Sequence, residues 1–237
     1  MPLSAPTVLI TSTVAIATDP FTTGSVTPTA NALVIVLVSA VTNAGTPDIV
    51  GITSTLSGMG TWTEIADIAH SAGTKALAAA WYSIAGASPG TGTITVDASS
   101  AFARWTVTVA EIASGYDTST PAINAKTGTG TSATPSLTLD SSPAATSIVM
   151  GIVTSLGDDG ITPGAAYVEL VDATSGGSNA ARQEIEYDST PGSTTVDWSD
   201  AGVTSNAFLA FEIKAAAAGA KAFVFPSRAF RLWNKWR

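Results

Sequence analysis

The stretch Asn31–Thr42, NALVIVLVSAVT, constrains the fold more than any other part of the chain. It is an almost unbroken run of aliphatic and β-branched side chains. Such residues favour the extended backbone and pack well on a pleated surface, so the run reads as a buried central strand. It has an echo at Thr146–Leu156, TSIVMGIVTSL. The rest of the sequence reads as two similar sets of strands built outward from these two runs.

Periodicity elsewhere supports strands. Thr93–Val96 (TITV) and Arg104–Val109 (RWTVTV) alternate polar with apolar residues, as strands with one buried face do. Between such runs lie turn-rich pieces at Asn43–Pro47, Gly86–Gly92, Gly157–Gly160 and Ser189–Ser193. Lys75–Ala80 is alanine-rich enough to suggest a helix. It runs straight into Trp81-Tyr82 and a Gly/Pro turn, so it is assigned to a strand.

Laid over each other, the two halves match in order. Leu33–Val38 pairs with Ile148–Val153, and Trp62–Asp67 (WTEIAD) with Tyr167–Asp172 (YVELVD). Tyr82 pairs with Tyr187, Thr95-Val96-Asp97 with Thr195-Val196-Asp197, and Glu111-Ile112 with Glu212-Ile213. The expected fold is all-β: one antiparallel sandwich over residues 1–215. Its half-repeats span about 25–123 and 136–214, each supplies one sheet of about four strands, and Asn124–Pro135 connects them. Two small sandwich domains are the alternative. A half of about 100 residues buries a smaller fraction of its surface, which favours the single body.

Charge divides the chain differently. Residues 1–213 hold 18 acidic and four basic residues, a net −14, whereas residues 214–237 hold six basic residues and no acid. Charged residues make up only 12% of the whole, about half the usual share, which suits a surface packed against neighbours. The chain has no cysteine, so disulfides and thiolate metal sites are excluded. The N-terminal segment lacks a basic n-region and does not read as a signal peptide. No apolar segment reaches the roughly 20 residues of a membrane-spanning helix.

The order of pieces is an apolar run, then TWTEI or AYVEL, then a WYS or EYD strand, then TVD followed by AFLAFEI in the second half. In this it resembles jelly-roll-like virion structural proteins of tailed bacteriophages. The resemblance covers residues 1–215 and brings no functional residues with it. It implies a non-enzymatic particle component, a head decoration or minor capsid protein in preference to a tail protein. It would assemble in the host cytoplasm, with other copies of itself or major virion proteins as partners, without cofactor or small-molecule substrate.

Candidate chemistry is sparse. His70, the single histidine, falls in a loop, and no nucleophile motif accompanies it. Glu111 and Glu212 share faces with core residues by strand parity. They would form a glycosidase-type pair if about 5–9 Å apart, or reach solvent at the rim if each strand bulges there. Glu184, Glu186 and Asp188 alternate along one strand, so all three point the same way. They read as a solvated negative stripe that limits self-association or receives a basic partner, or, with Asp158-Asp159, as an oxygen-rich calcium site. Trp62, Trp81, Trp105 and Trp198 lie in or beside strands. Trp105 reads as core, and one of Trp81 and Tyr82 should face outward. Exposed Trp81 or Trp198 would favour the alternative function, a tail-associated carbohydrate-binding adhesin.

The last residues change character. Residues 216–237 form an arm in which Phe223, Phe225, Phe230, Trp233 and Trp236 interleave with Lys221, Arg228, Arg231, Lys235 and Arg237. A short helix after Pro226 would gather Phe230, Trp233 and Trp236 near one face. Trp, Phe and Arg are enriched at interface cores, and the body is acidic, so the arm reads as an extended or short-helical protein-docking element. Nucleic-acid binding has the right sign but only six positive charges against a body of −14, a membrane-surface helix has the right amphipathicity but is short for stable anchoring, and a frayed terminus is the remaining alternative, so neither nucleic acid nor membrane is the expected partner.

Overall fold

The computed structural model describes residues 3–217, apart from 44, 46, 47, 72, 158, 159, 178 and 201–204. The arm residues Phe223, Phe225, Arg228, Phe230, Arg231, Trp233, Lys235, Trp236 and Arg237 lie outside the described residues, as does Asp158-Asp159. The chain is all-β. Among the described residues there is no helix, and every strand pairing is antiparallel.

The strands of the first half are β1 (Thr7–Val14), β2 (Phe21–Thr22), β3 (Leu33–Thr42), β4 (Ile49–Ser54), β5 (Thr63–Ala69), β6 (Lys75–Ile84), β7 (Ile94–Ala98) and β8 (Arg104–Ile112). Those of the second are β9 (Ala122–Gly130), β10 (Ser136–Thr138), β11 (Ile148–Leu156), β12 (Ile161–Pro163), β13 (Val168–Thr174), β14 (Ala181–Asp188), β15 (Thr195–Asp200) and β16 (Asn206–Ile213). The first half forms a five-stranded sheet, β1-β8-β3-β6-β5, and a three-stranded sheet, β2-β7-β4. The second forms β9-β16-β11-β14-β13 and β10-β15-β12, so adding eight to each strand number converts one set into the other. Registers keep step: Ile35 faces Tyr82 and Ala110, as Met150 faces Tyr187 and Phe211.

The four sheets stack in layers of three, five, five and three strands. Three apolar clusters fill the spaces between them. Strand β3 shows why the opening run is so uniformly apolar. Val34, Val36, Val38 and Ala40 face the outer core of the first half, while Leu33, Ile35 and Leu37 face a core shared by both five-stranded sheets. Strand β11 repeats this, with Ile148, Met150 and Ile152 in the shared core and Val149 and Val153 in the second outer core. A strand covered on both faces has no place for the polar half of an alternating pattern.

One end of the shared core is polar. Gln183 donates from Nε2 to Leu37 O (3.2 Å), Ser39 Oγ (3.1 Å) and Thr106 O (3.2 Å), and accepts at Oε1 from Thr108 Oγ1 (2.5 Å). Thr154 Oγ1 donates to Ser39 Oγ (2.6 Å) and Thr106 Oγ1 to Ala181 O (2.8 Å). Apolar contacts alone would tolerate sliding of one sheet on the other. A fully partnered buried network ties them at one register.

Two expectations differ from the structure. Each half contributes eight strands in two sheets, in place of one sheet of about four, because β2, β10 and β12 are two or three residues long and leave little periodicity to read. Within Asn124–Pro135, read as a connection, residues 124–130 belong to β9 and pair with β16. Its Thr, Gly and Lys content looks like a linker, yet Gly128 is a packing residue: a Cβ there would meet the Phe208 ring at 2.5 Å. Lys75–Ala80 is strand, within β6.

Candidate functional site

The two carboxyls at the strand ends do not converge. Glu111 (7% exposed) accepts from Thr29 N (2.7 Å) and Thr29 Oγ1 (2.6 Å), and Glu212 (3% exposed) accepts from Ala144 N (3.0 Å). Each points into its own outer layer beside the residues of its strand parity, so both five-stranded sheets lie between them, and packed sheets are themselves ~10 Å apart. They neither pair nor emerge to solvent. Each caps the turn that leads into the central strand of its half, which satisfies the buried carboxyl locally.

His70 follows β5 in a half-buried loop, where its backbone N donates to Ala76 O (2.8 Å). Trp105 is core: its ring stacks on Phe21 at 5.7 Å, and Nε1 donates to Thr18 O (3.0 Å). Neither Trp81 nor Tyr82 faces fully outward, because the sheet is covered on both sides. Trp81 packs on the first outer core and Tyr82 on the shared core. Trp62 is half-buried, and Trp198 is 2% exposed, so it offers no open stacking face.

The alternating acids depart furthest from expectation. Glu184 and Glu186 are 0% exposed, and Asp188 is half-buried, accepting from Thr190 N (2.8 Å). Strand β14 is interior in its sheet, and these residues point under the outer sheet β10-β15-β12, away from solvent. With Tyr187 set against Tyr82, the positions of Arg182, Glu184 and Glu186 correspond to Leu77, Ala79 and Trp81 in the first half. One outer layer is thus built on apolar residues where the other carries carboxyls.

Neither oxygen of Glu184 has a hydrogen-bond partner, nor has Glu186 Oε1. Burial, reinforced by the charges of Glu186, Glu169 and Asp172, pushes the Glu184 carboxyl up to about 9. The Trp198 indole N–H faces it and opposes the shift, while staying outside hydrogen-bond geometry. Burial also raises Glu186, to about 8, with Asp197 adding to the rise and the Gly164 N–H opposing it. Both groups are therefore neutral acids at pH 7, which is how a buried carboxyl avoids the cost of an uncompensated charge.

Above this pair the surface opens into a cleft of ≈ 430 Å³, lined by Ser136, Pro163, Gly164, Asp197, Trp198 and Ser199 among others. Gly164 joins the cleft to the carboxyls beneath. Its N–H donates to Glu186 Oε2 (2.8 Å), and a Cβ there would meet Asp197 O at 2.5 Å and Asp197 Oδ1 at 2.7 Å. Tyr167 supports the same turn, donating from its N to Gly164 O (2.9 Å) and from its hydroxyl to Thr195 O (3.3 Å). Burial and the charges of Glu186, Asp188 and Asp197 raise the Tyr167 hydroxyl well above its ordinary value, so it stays a donor. Opposite, Gly151 leaves room for the Trp198 indole: a Cβ would meet Cζ2 at 2.6 Å.

The Asp197 carboxylate is exposed, and among the described residues no hydrogen bond or ion pair engages it. A second acidic group lies in the first half. There burial, with the Asp48 and Glu64 carboxyls beside it, raises Asp67 to about 7. Among the described residues no three His, Asp or Glu side chains converge as a metal site.

Sequence reasoning found the acids of β14 but missed their burial; it named Asp197 only as part of the repeat and did not single out Gly164. The signal available was the contrast with Ala79 and Trp81, together with a glycine at the turn before Tyr167. The chain matches no protein-family model, no curated protein and no solved structure.

Proposed function

We propose that the protein is a non-enzymatic structural component of a tailed-phage particle, a capsid decoration or minor capsid protein held in place by its C-terminal arm. The observation that carries the reading is the doubled strand order. In each half the pairings nest, β1 with β8, β2 with β7 and β3 with β6, then β9 with β16, β10 with β15 and β11 with β14. Nested antiparallel pairing in two sheets is the order of a jelly roll, and it supports treating the halves as jelly-roll-like pseudo-repeats. Joining two through a shared core pinned by a buried polar network gives a block with no obvious moving part, which suits a subunit that bears load.

The arm supplies attachment. An acidic body and a basic, aromatic terminus are complementary between copies, and the low charge density of the body lowers the desolvation cost of packing. The partners are other copies of the chain and major virion proteins, and the location is the virion. Light scattering after size exclusion tests the self-association. The full chain is expected to form a salt-sensitive oligomer, and deletion of residues 219–237 is expected to leave a folded monomer. An unchanged mass after deletion defeats the role given to the arm.

A further inference from the structure

We infer that the cleft formed by Ser136, Pro163, Gly164 and Asp197 receives the basic C-terminal arm, residues 219–237, of a second copy of this chain. This rests on the assembly reading above and names the docking site for it. Three observations converge there. The Asp197 carboxylate at the mouth is exposed and, among the described residues, unpaired. Beneath it lie Glu184 and Glu186, whose free oxygens occupy positions that are apolar in the first half. Gly164, pinned by Glu186 and too crowded for any side chain, keeps the floor of the cleft open. Neutral while the cleft is empty, these two carboxyls ionise more readily beside a cation, so a cationic guest offsets the cost of burying them where the first half carries Ala and Trp.

The chain itself carries the matching group. Residues 219–237 contain Lys221, Arg228, Arg231, Lys235 and Arg237 and no acid. A guanidinium meets a carboxylate through paired donors, and Ser136 adds an acceptor beside it. Pro163 and Ala165 give the rim an apolar contact for a neighbouring Phe or Trp, and ≈ 430 Å³ has room for one or two long side chains. Reach is no obstacle. Near its last described residues the body is tied down by Ala216 N to Gly115 O (2.7 Å) and Lys214 to Asp117 (2.9 Å), and 19 further residues can extend ~60 Å. The Asp48–Glu64–Asp67 group is the weaker receptor, because among the described residues it presents no buried carboxyl oxygen without a partner.

The test uses a full-length chain whose own arm is neutralised by replacing Lys221, Arg228, Arg231, Lys235 and Arg237 with Gln. A fluorescent synthetic peptide of residues 219–237 is titrated into it and followed by anisotropy. Saturable binding is expected, with Kd raised at least tenfold by Asp197→Asn and by Ser136→Lys, and unchanged by Asp48→Asn. Circular dichroism of these surface variants confirms that they are folded. The otherwise unaltered full chain with Asp197→Asn is expected to sediment as monomer. Peptide binding that is indifferent to both cleft variants overturns the cleft while leaving the arm as a docking element. Absence of any binding overturns both. Weakened binding with an unchanged oligomer shows that the arm folds back onto its own cleft and overturns the second-copy assignment.

Discussion

Replacing Glu184 by Gln removes the most costly ionisable group in the second outer layer while keeping its size. The folded carboxyl titrates near 9 against 4.5 for an ordinary glutamate. The folded state therefore holds a proton that the unfolded state has lost, and this group's contribution is full below 4.5. It declines as pH rises and is gone above about 9. At 1.36 kcal/mol per pH unit, the decline reaches ~3 kcal/mol by pH 7 and is on the order of 6 kcal/mol by pH 9. Gln cannot ionise, so the variant should match the parent near pH 5, less ~1–3 kcal/mol for its added unpartnered amide. It should be the more stable protein at pH 8–9. Urea unfolding at half-unit steps from pH 5 to pH 9 measures both curves. The reasoning fails if the two run parallel, or if the parent gains stability relative to the variant as pH rises.

Three further outcomes follow from the packing. Gln183→Leu should destabilise by ~1–3 kcal/mol in chemical unfolding, since it removes the one side chain that bonds Leu37 O, Thr106 O, Ser39 and Thr108 together and sets an apolar group among those buried polar atoms. A cost below 0.5 kcal/mol would show the network to be dispensable. Gly151→Ala should cost ~1–3 kcal/mol by overpacking against Trp198 and shift its fluorescence, whereas Gly192→Ala, which meets nothing within 4 Å, should not. Glu111→Ala should cost ~1–3 kcal/mol by leaving the Thr29 N–H unpaired, with faster amide exchange at Thr29.

Much of the architecture was legible because β3 and β11 are covered on both faces, which forces a run of aliphatic residues that stands out in any reading. Their echo, and the Trp62–Asp67 and Tyr167–Asp172 match, fall on strands that occupy corresponding places. The outer sheets were legible only in part: the alternation of TITV and the repeated Thr-Val-Asp fall on β7 and β15, but β2, β10 and β12 are too short to show a period, and in the five-stranded sheet β9 is made of small polar residues that resemble a linker. The site was less legible still. Three acids at every second residue read as a solvent face, and only the layer above β14 makes Glu184 and Glu186 interior. Whether such a layer exists depends on residues more than ten positions away in β15, so no local pattern discloses it. Glu111 and Glu212 mislead for a related reason: their partners, Thr29 N and Ala144 N, are backbone groups, which carry no sequence signature.

The central claim is that this chain is a particle component attached through its arm. The direct measurement is the number of copies per particle in purified virions, by quantitative mass spectrometry, for the full chain and for the chain lacking residues 219–237. The full chain is expected at a fixed copy number and the shortened chain at background. A shortened chain incorporated at normal occupancy, or a full chain absent from the particles, contradicts the claim.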